Sequence, residues 1–224
     1  MLTNAETKLI RSLATKKGRE NSGFCLVEGE KNIKAAQDHL EFQFTREDTP
    51  SFDELVTTET PQNAAGVAKV PEWTLDDVEL MKTIVVLDGI QDPGNVGNIL
   101  RLCLGFDAGL ILVESADPTS SKVIRASAGA MFNVPWVKVG RDNATILIDE
   151  LDRPIYRLEN VNGSKAIDSI TLKKVKIIIA GSEGSGIKLD VKAPSVRISH
   201  SKKLESLNVA AALAIVLNAC YQAE

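Results

Sequence analysis

The sequence predicts an α/β protein built on a mostly parallel sheet with helices on both faces, preceded by a small α/β unit. Three observations carry this expectation. Apolar, β-branched runs of strand length recur at residues 83–87, 110–113 and 176–180, the pattern of strands buried on both faces. Stretches of helical spacing separate them, as in successive β-α units. Two of the runs lead into glycine-containing loops, and open α/β sheets place ligands outside the carboxyl ends of their strands.

The elements follow in order. Residues 3–14 carry Leu9, Ile10 and Leu13 at helical spacing and predict a short amphipathic helix. Residues 23–29 predict a strand, and 30–38 a helix. Residues 41–64 are polar and acidic, punctuated by Pro50 and Pro61, so little regular core is expected there. Residues 66–70 predict a strand that closes the small unit, and Pro71-Glu72-Trp73 begins a linker. Beyond it come a strand at 83–87, a helix at 95–106, a strand at 110–113, a helix at 119–131, a strand at 134–139 and a helix at 144–151. Strands at 154–158 and 176–180 bracket a short helix near 164–169. A long apolar helix over 205–221 ends the pattern. The expected organisation is a small unit over 1–72, a linker over 73–82 and the main α/β unit over 83–224.

Composition narrows the function classes. The 224 residues are 44% hydrophobic and 25% charged, ordinary for a globular chain with a full core. No apolar run approaches the roughly 20 residues of a membrane span, and the N-terminus lacks the apolar region of a signal peptide, so a cytoplasmic protein is expected. Cys25, Cys103 and Cys220 are scattered and odd in number, which reads as buried packing thiols. With only His39 and His200 besides, no metal site is expected. The net charge of −4 conceals an uneven distribution. Residues 1–34 hold seven Lys/Arg against four acids, whereas 35–80 hold two against eleven. Lys16, Lys17, Arg19 and Lys31 are therefore either a solvated helix face or a surface for phosphate, whose neutralisation releases counterions.

Three segments carry the chemistry. Asp88-Gly89-Ile90-Gln91-Asp92-Pro93-Gly94-Asn95-Val96-Gly97-Asn98-Ile99-Leu100-Arg101 follows a buried strand and opens a helix. Pro93 and the glycines suit a tight turn that admits close approach. Asn98 and Arg101 share the ridge opposite the apolar stripe of Val96, Ile99, Leu100 and Cys103. The second segment, Gly181-Ser182-Glu183-Gly184-Ser185-Gly186-Ile187, fails the Walker pattern, because Ile187 and Lys188 stand where Lys and Ser/Thr would follow Gly186. Its glycines fall as GxxGxG, which also fails the dinucleotide fingerprint. Glu183 would repel a phosphate, so the loop suits a neutral or cationic ligand, the alternative being a plain structural turn. In the third segment, Ile198 to Val209, Ser206 and Asn208 are candidate helix caps, though capping does not require Glu205, Ser206 and Asn208 together.

Together, and in this order, the three segments resemble the SpoU (TrmH) family of RNA 2′-O-ribose methyltransferases, with motifs near DPGNVGxIxR, GxEGxGI and IPMxGxxESLNVxxAxAI. The N-terminal part, through residues 24–31 and 58–62, resembles that family's substrate-binding domain in abbreviated form. The resemblance implies a knotted domain that binds S-adenosylmethionine through Gly181, Ile198 and Leu207. It implies a catalytic set of Arg101, Asn95, Glu183, Ser206 and Asn208, an RNA substrate (ribosomal before transfer RNA), and a homodimer formed through the methyltransferase domain. A guanidinium is effectively always protonated, so Arg101 is expected to bind phosphate and stabilise the developing alkoxide. The chain departs from the pattern at Ser199-His200 and Lys202, where the family has Pro-Met and Gly. That departure bears on loop geometry and leaves a non-catalytic RNA-binding module as the alternative.

Overall fold

The computed structural model describes residues 1–222. Helix α1 (Asn4–Leu13) opens with a capping box between Thr3 and Glu6, which satisfies two free amides reciprocally. Helix α2 (Lys16–Ser22) stops at Gly23, whose φ of 72° reverses the chain. Strand β1 (Phe24–Glu28), helix α3 (Glu30–Ala35), strand β2 (Leu40–Thr45), helix α4 (Phe52–Leu55) and strand β3 (Ala64–Lys69) then build a three-stranded antiparallel sheet, ordered β1-β3-β2.

The small unit is more regular than its polar, acidic sequence predicts. Residues 41–64 hold a strand and a short helix, and Phe44, Phe52 and Leu55 are buried with Ile10, Leu13 and Leu26 in a core of their own. The expected linker likewise contains helix α5 (Leu75–Glu79), capped by Thr74 and Asp77.

The large sheet is assembled from strand β4 (Thr83–Asp88), helix α6 (Pro93–Gly105), strand β5 (Ala108–Val113), helix α7 (Ser121–Ser127), strand β6 (Trp136–Val139), helix α8 (Arg141–Glu150), strands β7 (Ile155–Leu158), β8 (Lys165–Ala166), β9 (Lys176–Gly181) and β10 (Ser195–Arg197), and helix α9 (Val209–Gln222). Its seven strands run in the order β6-β5-β4-β9-β7-β10-β8, with every pairing parallel. The helix expected over 119–131 is broken. Ala128 and Gly129 adopt φ of 50° and 80°, and a short 3₁₀ turn, Ala130–Phe132, replaces its end. The last helix starts at Val209 rather than at Glu205.

Alternation along the central strands divides the core, because successive side chains point to opposite faces. Val85, Leu87, Leu110, Leu112 and Ile178 pack with α6, α7 and α9. Ile84, Val86, Ile111, Val113, Ile177 and Ile179 pack with α5, α8 and the segment carrying Leu189 and Val191. Cys25, Val27 and Ala68 of the small sheet join the first of these cores, so the small sheet packs, through β1 against α7, on the helical layer that covers the large one.

Ion pairs reinforce that contact. Arg125 of α7 donates to the buried Glu28 at 2.8 Å and to Thr57 at 2.8 Å. Arg19, expected to face RNA, is instead 7% exposed and donates to Asp117 at 2.7 Å, Thr119 at 3.1 Å and the Leu13 carbonyl at 2.9 Å. A guanidinium held this way cannot reach a phosphate, so Arg19 leaves the RNA-facing set. Lys16, Lys17 and Lys31 are exposed.

Candidate active site

The site is built where β4 and β9 end side by side. Their register sets Asp88 opposite Gly181, so the loops that follow leave the same sheet edge together. After β4 the chain turns at Gly89 with φ of 73°, and Ile90 donates its amide to Ser115 at 3.0 Å. Asp92 caps α6 through Gly94 at 3.0 Å, with Pro93 at the first helical position, where its missing amide costs nothing. Gly94 and Gly97 therefore lie in the helix rather than in a turn. Gly97 is needed for packing, since a Cβ there would fall 2.4 Å from the Ala126 Cβ of α7.

After β9 the glycine-rich loop closes on itself. Gly186, with φ of 65°, donates to the Ser182 carbonyl at 2.8 Å, and the hydroxyls of Ser182 and Ser185 lie 2.7 Å apart. The returning backbone passes directly over Gly181, where a Cβ would sit 2.2 Å from the Gly186 carbonyl carbon. Only glycine permits that crossing.

The third segment enters through Asn208. Its Oδ1 accepts from the amides of Ala210 at 3.0 Å and Ala211 at 3.3 Å, making it the cap of α9. Its Nδ2 therefore faces the other way and donates to Asn95 Oδ1 at 2.8 Å and Glu183 Oε1 at 3.0 Å. Asn95 Nδ2 lies 3.5 Å from the same Glu183 oxygen. Three residues from three distant segments thus form one cluster, and Glu183 Oε2 has no hydrogen-bond donor among the described residues.

A cavity of about 310 Å³ opens beside this cluster, lined by Gly181, Ile187, Ile198, Ser206 and Leu207 and edged by Glu159, Glu183 and Glu205. His200 also lines it, its Nδ1 held 2.9 Å from the Ile198 carbonyl. A second, more polar cavity of about 450 Å³ is lined by Asp88, Gln91, Asn95, Glu114, Arg141 and Lys188. Glu183, Ser182 and Val209 border both. Ser206 reaches the first cavity without capping the helix. Arg101 is placed apart: it is exposed on α6 and lines neither cavity.

Sequence reasoning missed Glu114, Arg141, Arg157 and Glu159. Arg141 donates to Asp88 at 2.7 Å and to Glu114 at 2.7 Å. The one available signal was Arg157, a charge in the middle of a short apolar strand.

Two of the thiols are held protonated. Burial pushes the Cys25 and Cys103 thiols up to about 12, so neither supplies a thiolate at neutral pH. Among the described residues, no group of three or more His, Cys, Asp or Glu is placed to hold a metal, and no helix is long and apolar enough to cross a membrane.

Residues 82–218 match the SpoU rRNA Methylase family. The chain belongs to that family. The 23S rRNA (guanosine(2553)-2′-O)-methyltransferase RlmP of Bacillus subtilis is 28% identical to this SpoU-family chain, over 96% of the chain and 95% of the relative. The 23S rRNA (adenosine(1067)-2′-O)-methyltransferase of Streptomyces azureus is 32% identical over 76% of the chain and 66% of the relative. An rRNA methyltransferase from Sinorhizobium meliloti, solved with S-adenosylmethionine bound, superposes with a TM-score of 0.84 at 25% identity, covering 100% of this chain and 96% of that one.

Proposed function

We propose that this SpoU-family chain transfers a methyl group from S-adenosylmethionine to the 2′-oxygen of a ribose in structured RNA, with ribosomal RNA the first choice and transfer RNA the second. The carrying observation is the Asn95–Glu183–Asn208 cluster at the border of two cavities, one apolar with carboxylates at its edge and one polar.

The first cavity suits the cofactor chemically. Ala180, Ile187, Ile198 and Leu207 offer apolar surface for an adenine, and Glu159, Glu183 and Glu205 offer negative charge to a sulfonium and an amine. Gly181, Ile198 and Leu207 are the residues assigned to hold it, largely through backbone. When bound, S-adenosylmethionine supplies an already activated methyl group. The protein then mainly positions the attacking oxygen and manages its proton.

In this reading, the second cavity receives the target nucleotide. Asn95 and Asn208 hold Glu183 Oε1, leaving Oε2 to accept a hydrogen bond from the ribose hydroxyl. Ser206 donates or accepts at the cavity wall. Arg101 binds an adjacent phosphate and stabilises the developing alkoxide.

Arg101 shares an exposed ridge of α6 with Asn98 and Leu104, and the neighbouring helix α9 exposes Ile215 and Tyr221. A second copy of the chain covering this face would bury its apolar part and set the reach of Arg101, which supports a homodimer. Lys16, Lys17 and Lys31 complete the proposal as phosphate contacts outside the site, with residues 1–72 as the substrate-binding unit. A trefoil knot in the methyltransferase domain and work in the cytoplasm, where ribosomal RNA is found, belong to the same reading.

Calorimetry with S-adenosylmethionine tests it. Micromolar binding is expected. An absence of binding at millimolar cofactor would overturn the enzyme reading and leave an RNA-binding module.

A further inference from the structure

We propose that Asp88 and Arg157 are positioning residues that preset the cofactor cavity by gripping, from opposite sides, the segment that leaves the glycine-rich loop. The proposal rests on the reading of that cavity as the S-adenosylmethionine site.

Asp88 ends β4 and is 1% exposed. Its Oδ2 accepts from the amides of Lys188 at 2.5 Å and Leu189 at 2.7 Å, and its Oδ1 accepts from Arg141. Arg157 lies on β7. Its Nη1 donates to the carbonyls of Leu189 at 3.0 Å and Val191 at 3.1 Å, and its Nη2 donates to the Ile187 carbonyl at 3.5 Å. Leu189 is thus held at both ends of its backbone, amide by a carboxylate and carbonyl by a guanidinium.

The sheet order explains the geometry. Strand β9 feeds the loop, and β4 and β7 are its two neighbours, so each flanking strand supplies one grip. The segment itself folds back onto the α8 face, where Leu189 and Val191 are buried.

Both grips are charge-balanced. Arg141 is shared between Asp88 and Glu114. Arg157 donates through Nε to Glu159 at 2.8 Å, and Glu159 also accepts from Ser195 at 2.6 Å. Burial acts to raise the Glu159 carboxyl, but the bonds from Arg157 and Ser195 outweigh it and hold its pKa below the usual range. Asp88 is buried and Arg157 and Glu159 are part-buried; charges paired in this way resist rearrangement, and losing one partner leaves the other uncompensated.

The grip acts on the cavity through the backbone. Arg157 lines neither cavity, whereas Gly186 and Ile187, just before the gripped segment, line the first. Gly186 is pressed onto Gly181 with no room between them. A slack segment would release that crossing and move the cavity wall.

Loss of preorganisation has a definite signature. If the binding-competent loop is populated only fractionally, apparent affinity falls by that fraction while the occupied enzyme turns over normally. The test uses the full chain as wild type, Arg157→Met and Arg157→Lys. Three quantities are read: the Kd for S-adenosylmethionine, kcat at saturating cofactor, and amide exchange over residues 182–191 without cofactor. Arg157→Met is expected to weaken binding by about tenfold or more with kcat preserved, and to speed exchange over 186–191. Arg157→Lys, which keeps the charge but not the three-carbonyl reach, should fall between.

A folded Arg157→Met protein with unchanged Kd, with unchanged exchange, or with kcat as the main loss would overturn the proposal. If that variant does not fold, Arg157→Lys carries the same comparison, and wild-type values there overturn it. If the wild type does not bind S-adenosylmethionine, the functional reading falls and the exchange measurement alone decides whether the grip exists.

Discussion

Asn208 donates to Glu183 at 3.0 Å with the same side chain whose oxygen caps α9. One amide therefore sets where the last helix begins and how the loop carboxylate is aimed. Its orientation follows from the capping bonds, since the oxygen must face the helix amides and the nitrogen the acceptors.

This pairing separates two kinds of variant. Asn208→Asp keeps the cap but replaces a donor with a negative charge beside Glu183. Melting should be close to wild type, while methyl transfer falls by about a hundredfold. Asn208→Ala should lose activity as well and about 1 kcal/mol of stability, the usual worth of a cap. Thermal melts alongside single-turnover assays check both. An Asn208→Asp enzyme with full activity would detach the cluster from catalysis.

Arg101 is exposed, so its loss should leave stability within about 0.5 kcal/mol. Arg101→Lys keeps the charge but not the two-pronged guanidinium, and activity is expected to fall by about a hundredfold or more. Turnover at the wild-type rate would rule out a bidentate role.

The Arg19–Asp117 pair predicts a pH-dependent stability. Burial acts to raise the Asp117 carboxyl, but the Arg19 bond, the Lys138 charge and the Thr119 bonds outweigh it, so its pKa lies below the usual value. A depressed carboxyl stabilises the fold above its unfolded pKa of about 3.9 and loses that contribution as pH falls through the folded value. Asp117→Asn should cost about 3 kcal/mol at neutral pH, and the gap from wild type should close on acidification below about pH 4. Urea unfolding across pH measures this. A gap that stayed constant would assign the cost to shape rather than charge.

Gly181→Ala tests the loop crossing. The added Cβ would lie 2.3 Å from the Gly186 carbonyl oxygen and 2.4 Å from the Ile187 amide nitrogen, and backbone must move to admit it. Stability should fall by about 1–3 kcal/mol, and S-adenosylmethionine binding should fall below detection in calorimetry. Retained affinity would show that the cavity tolerates a displaced loop.

Much of the fold was legible because the buried strands advertise themselves. Residues 84–87 and 177–180 are buried on both faces, and their shortness, their β-branched residues and the turn signals beside them mark such runs as strands rather than helix. The acidic stretch after Glu41 hid β2, although Leu40, Phe42 and Phe44 alternate as a half-buried strand should. The intervening Glu41 and Gln43 drew attention to charge instead of period. The helix over 119–131 was overextended because nothing in Ala128 announces a left-handed residue; Gly129, packed against Ala35 of α3, demands the break.

The site divides in the same way. Asn95, Glu183 and Asn208 were legible as motif residues, and the structure brings them together. Arg19 was misread because its partner Asp117 is 98 residues away, and charge pattern records no such distance. Arg141 was invisible, and Arg157 was signalled only by its charge within a short apolar strand, for a related reason: each grips backbone or a carboxylate from a strand or helix that carries no motif.

The central claim is ribose methylation, and the position of the methyl group tests it most directly. Deproteinised ribosomal and transfer RNA from cells lacking the gene would be incubated with the chain and methyl-labelled S-adenosylmethionine, then digested to nucleosides and analysed by mass. The account predicts label in one 2′-O-methylnucleoside, from ribosomal RNA first, and incorporation slowed by about a hundredfold with the Asn208→Asp variant. Label on a base, or RNA bound without any methyl transferred, would contradict it.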